Sequence, residues 1–135
     1  MNRIASAVVT PTGLNYTQRI ATGGFELSAD EPLSAGGRNL GPGPYHLLLA
    51  SLGACTTITL KMYADRKGWN IGALKVALTL SKDSDGGTFI DRTLESDARL
   101  DGEQWLKLLD IASKTPVTKT LLSGAKITTR RAEET

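Results

Sequence analysis

Residues 41–69, GPGPYHLLLASLGACTTITLKMYADRKGW, decide how this chain is read. From Tyr45 to Lys67 apolar residues fall at 47, 48, 49, 50, 52, 54, 55, 58, 60, 62 and 63. Laid on a 3.6-residue turn they cover most of the circumference, the pattern of a central helix covered on several sides. Pro44 suits the first helical turn, where its missing N–H costs nothing. Gly68 suits the position just past the end. In a chain of 135 residues those sides are expected to include a second copy of the protein.

Outward from the helix the pattern changes to strands. Residues 3–9 and 15–21 are rich in Ile, Val, Tyr and Thr and flank Thr10-Pro11-Thr12-Gly13, a hairpin signal. Gly23-Gly24 ends that pair, and FELSA, 25–29, predicts a third strand. DEPLSAGGRNLGPGP then runs as a loop broken by Gly and Pro, the kind that often carries function. After the helix, ALKVALTLSK at 73–82 alternates with Leu74, Val76, Leu78 and Leu80 on one face. Asp83-Ser84-Asp85-Gly86-Gly87 turns it back into 88–100, with Ile90, Leu94, Ala98 and Leu100 facing inward. A helix at about 102–114 shows Trp105, Leu108, Leu109 and Ala112 on one stripe. Thr115-Pro116 opens a short helix ending near Gly124, and KITTR, 126–130, predicts a last strand. The order predicts one α+β domain over 1–135, without internal repeats.

Composition bounds the function. Hydrophobic residues make up 40% and charged residues 22%, as in a globular protein. The net charge is +2 with the basic residues scattered, which is not the footprint of a nucleic-acid binder. No run approaches the roughly 18 apolar residues of a membrane span, and MNRIASAVVTPTG is too weak for a secretory signal. One cysteine makes no intrachain disulfide, so the expected compartment is the cytoplasm. A single His and a single Cys cannot supply a usual zinc site, and GGRNLGPGP lacks the GK[ST] of a phosphate loop. Neither a metal nor a cofactor is expected.

The lone thiol, Cys55, has two readings. It lies in mid-helix, away from the activating N-terminus of that helix. His46, nine residues earlier, falls on the opposite side of a straight helix, about 13 Å along it. Ser51 and Thr59, at i−4 and i+4, share the thiol's face and could donate to it. The plainer reading is packing, since free cysteine is among the most buried residue types.

Residues 41–69 closely resemble the signature of the OsmC/Ohr superfamily of bacterial hydroperoxide-handling proteins. The matching pieces are the Gly-Pro loop, the LLLASLGAC run and MYADRKGW. IASKTPVTKTLLSGAKIT, 111–128, resembles the second family motif, and the likeness leans to the OsmC-like branch related to YhfA. The resemblance implies an α+β fold in an intertwined homodimer with active sites at the subunit interface. It implies that a thiolate on the central helix attacks a peroxide and becomes sulfenic acid, which a second cysteine resolves before a dithiol regenerates the enzyme. It also implies that, in the peroxidase members, an Arg from a loop and a Glu near the helix start support the thiolate.

Cys55 matches the attacking position. Where the family has the resolving cysteine of Cys-Pro-Val, this chain has Thr115-Pro116-Val117. Threonine there keeps a helix-capping oxygen but cannot form a disulfide. His46 stands where related sequences usually carry Glu, and it either aids an anion or caps the first turn. Arg38, in the loop leading into the helix, is the first choice for the arginine, with Arg19 as its rival. The expected function is a thiol-dependent reductase of small organic hydroperoxides, with Cys55 resolved by an external thiol. The alternative is a binding protein that keeps the interface pocket for a small apolar or thiol-bearing ligand.

Overall fold

The structure is a computed structural model and describes residues 1–133. It divides into two compact units, Met1–Ala50 and Ser51 onward. In the first, β1 (Ala7–Pro11), β2 (Gln18–Thr22) and β3 (Phe25–Ala29) form an antiparallel sheet in sequential order. Val9 pairs with Ile20, and Ile20 with Leu27. Gly23 and Gly24 both have positive φ, which lets the β2–β3 hairpin turn in two residues. The β1–β2 connection is longer than the sequence suggests, because Thr12 closes back on the Thr17 carbonyl through its backbone N–H and its hydroxyl.

The Gly-Pro loop is stapled onto the end of β3 by one buried carboxylate. Asp30 accepts from the Thr17 hydroxyl at 2.7 Å and from the backbone N–H of Glu31 and Leu40 at 2.7 and 3.1 Å. Its own N–H donates to the Pro42 carbonyl, and Asn39 N–H donates to Glu31. Any side chain on Gly37 would collide with the Glu31 carbonyl.

α1 runs from Pro44 to Lys67 without a break. Its buried residues are Leu52, Gly53, Thr56, Leu60 and Ala64, a stripe at four-residue spacing. Ile58 and Met62 remain 54% and 55% exposed, so this chain alone covers one face of an all-round apolar helix. By length and composition α1 also meets the criteria for crossing a membrane, which corrects the expectation that no segment approaches them. The core gives its apolarity another use: Leu60 and Ala64 pack with Ile71, Leu108 and Ala112.

In the second unit β4 (Leu74–Lys82) and β5 (Thr88–Ser96) form one long hairpin, with Val76 opposite Leu94 and Leu80 opposite Ile90. Asp83 holds the turn, accepting from the N–H groups of Asp85 and Gly87. α2 (Gly102–Ala112) starts at a capping box in which Asp101 and Gln104 satisfy each other's backbone N–H. It buries Leu108 and Ala112 with Trp105 and Ile111 against the core, while Leu109 faces outward. α3 (Pro116–Ser123) opens on Pro116 and stops at Gly124. Residues 124–133 carry no regular structure, so the strand expected at 126–130 does not form. A strand needs a hydrogen-bonded neighbour, and no strand pairing among the described residues reaches this segment.

Candidate active site

Three elements of the second unit converge on Cys55. The sulfur accepts the backbone N–H of Val117 at 3.5 Å, the second residue of α3. Thr115 occupies the N-cap with cap backbone angles, yet its hydroxyl makes no capping bond. It lies 2.6 Å from the Thr118 hydroxyl instead. The sequence expectation that Thr115 supplies the capping oxygen is therefore corrected, because the sulfur of another helix takes an N–H that a cap residue would satisfy. A second correction follows. Cys55 is central on α1 but lies at the N-terminus of α3, where oriented N–H groups favour negative charge. Among the described residues, the donor to the sulfur is this N–H and not Ser51 or Thr59.

The cation that interacts with Cys55 is Arg92, on β5. Alternation places it on the inner face between Ile90 and Leu94, opposite Leu78. Its Nη1 donates to the Thr56 and Thr118 hydroxyls, each at 2.9 Å, and its Nη2 to the Ala112 carbonyl at 2.8 Å. Thr56 is fully buried and its hydroxyl donates to the Leu52 carbonyl at 2.7 Å. Thr118 donates to the Ala112 carbonyl at 3.3 Å, so the 2.6 Å Thr115–Thr118 contact has Thr115 as donor. Burial holds the Arg92 guanidinium below its ordinary value, an effect that the interaction with Cys55 offsets only in part. No carboxylate among the described residues forms an ion pair with it.

The other sequence candidates lie in the first unit. Arg38 is an exposed side chain on the Gly-Pro loop, and its backbone supports the Asp30 carboxylate. His46 is exposed in the first turn of α1 and lines a cavity of about 450 Å³ with Glu31, Asn39 and Tyr45. Arg19 pairs with Glu26 at 2.6 Å on the exposed side of the sheet, so its charge is already matched. Sequence reasoning missed Arg92. The signal was present: a charged residue at an inward parity position, between two apolar ones.

A family model described as OsmC-like protein matches residues 36–130. The chain belongs to this family. Solved structures agree on the fold. An OsmC-like protein of Mycoplasma pneumoniae is 22% identical, with a TM-score of 0.69 over 90% of this chain and 89% of its own. The organic hydroperoxide resistance protein OhrB of Bacillus subtilis is 26% identical, with a TM-score of 0.58 over 87% and 90%. OsmC of Legionella pneumophila, also an organic hydroperoxide resistance protein, is 17% identical, with a TM-score of 0.64 over 88% and 89%. No curated protein matches the chain. The OsmC-like region takes in Cys55, Arg92 and the Thr115–Thr118 turn, so every group converging on the sulfur lies inside the matched segment.

Proposed function

We propose that this OsmC-like protein reduces organic hydroperoxides through Cys55 alone, using an external thiol as resolver. The observation that carries the reading is the setting of the sulfur. It accepts Val117 N–H at the start of α3 and interacts electrostatically with Arg92, a half-buried cation without a carboxylate partner among the described residues. Reactive cysteines sit in electropositive, partly exposed places of this kind, and Cys55 is partly exposed.

The thiolate attacks the terminal peroxide oxygen, the O–O bond breaks, and the alkoxide leaves and takes a proton as alcohol. Cys55 is then a sulfenic acid. An external thiol displaces water to give a mixed disulfide, and a second thiol returns the Cys55 thiolate and releases an external disulfide. Each cycle consumes one peroxide and two thiols. Arg38 and His46 stay in this proposal as the candidates that the family resemblance offers for assisting the thiolate. The apolar face of α1 around Ile58 and Met62 supports assembly as a homodimer. A reducing cytoplasm would supply the thiols.

The test is turnover of cumene hydroperoxide with small thiols and dithiols as reductants. The expected result is thiol-dependent loss of peroxide that disappears in Cys55→Ser. Equal rates for wild type and Cys55→Ser would overturn the proposal.

A further inference from the structure

A cavity of about 300 Å³ opens in the second unit, lined by Leu52, Ile90, Arg92, Thr118, Leu121 and Leu122. Four of these six are aliphatic and one is a cation, the composition of a site for a ligand with an apolar body and an anionic end. The hydrogen bonds of Arg92 show which part of the guanidinium is spent. The Thr118 hydroxyl and the Ala112 carbonyl lie 3.3 Å apart and take one N–H each from Nη1 and Nη2. They therefore occupy the edge between the two terminal nitrogens. The second Nη1 N–H goes to Thr56. Of the five N–H groups of an arginine, Nε–H and the outer Nη2–H are left without acceptors among the described residues. Those two are parallel and match the two oxygens of a carboxylate.

We propose that this cavity binds a small apolar monocarboxylate, its carboxylate held by the free edge of Arg92 and its body lying against Leu52, Ile90, Leu121 and Leu122. The lining has one cation, which suits a single negative charge better than a phosphate dianion, whose sites gather several positive groups. The bound carboxylate would supply the carboxylate partner that this half-buried charge lacks among the described residues. The site requires no chemistry at Cys55, so it stands or falls separately from the peroxidase reading.

Calorimetric titration with octanoate, octan-1-ol and acetate separates the contributions of charge and apolar body. Octanoate is expected to bind one per chain, with octan-1-ol and acetate each at least tenfold weaker. Arg92→Met should weaken octanoate at least tenfold. Because that variant also removes buried hydrogen bonds, Leu122→Glu provides a second arm: Leu122 is 79% exposed, so the change leaves the core alone while placing a like charge at the cavity. It too should weaken octanoate at least tenfold. Octan-1-ol binding as tightly as octanoate, no octanoate binding at millimolar concentration, or unchanged affinity in a folded Leu122→Glu would each overturn the proposal.

Discussion

At the scale of single residues, Arg92 carries packing and, in the proposed function, chemistry as well. Its three hydrogen bonds tie β5 to α1, to the end of α2 and to the start of α3. Hydrogen bonds to charged groups each contribute about 1.5–3 kcal/mol, and removing the donor leaves buried acceptors unmatched. Arg92→Met is therefore expected to cost about 2–4 kcal/mol in urea unfolding and to slow peroxide reduction by an order of magnitude or more. Arg92→Lys keeps the charge but not the fork. It should recover more of the rate than of the stability. The Cys55 position was legible in the sequence through its family motif. Its donor was not, because Val117 lies 62 residues away and only the packing of α3 against α1 brings them together.

At the scale of elements, α1 and the Gly-Pro loop behave differently. Leu60 is fully buried in the middle of the α1 stripe. Leu60→Ala should lower stability by about 2–5 kcal/mol, read as a shifted urea midpoint with an unchanged slope. The loop depends on Asp30. Burial raises the pKa of its carboxyl, but the Thr17 hydroxyl and the N–H groups of Leu40, Glu31 and Arg38 outweigh that and hold it below its ordinary 3.8. The stability Asp30 contributes is thus present above that value and lost as the pH falls through the lower, folded one. Asp30→Asn should lack this acid-linked component, so its urea midpoint should vary less than that of the wild type from roughly pH 5 to pH 2. Strand alternation made β4 and β5 legible, since period-2 patterning with inward Leu and Ile has one reading. The segment at 126–130 has strand-forming residues too, but propensity does not provide a neighbour, and that information is not local.

At the scale of the whole molecule, two features point beyond one chain. The helix is apolar all round while its own chain buries one stripe, with Ile58 and Met62 left at the surface. Sedimentation should give about twice the 14.4 kDa chain mass, as expected for a homodimer. The second feature is the missing second sulfur. Thr115 is 1% exposed beside the α3 N-terminus, and the family resemblance places the resolving cysteine there. Thr115→Cys, treated with one equivalent of peroxide, should form an intrachain disulfide with Cys55, seen as a loss of two hydrogens and of both alkylatable thiols. The fold class and the position of the motif cysteine were readable from residues 41–69, because a motif of that length fixes both. Arg92 was not read as part of the site, although its inward parity on β5 was visible, because only the packing of α1 and α3 brings Thr56 and Thr118 to it.

The most direct measurement is a single-turnover trap of the Cys55 oxidation product. Folded protein is mixed with a small excess of cumene hydroperoxide in the presence of dimedone, and the intact mass and the Cys55 peptide are read. One dimedone adduct on Cys55, formed within the time of peroxide loss and absent when Cys55→Ser is used, is the expected result. An unmodified Cys55 in folded protein after the peroxide has been offered would contradict the assignment of this thiol as the nucleophile.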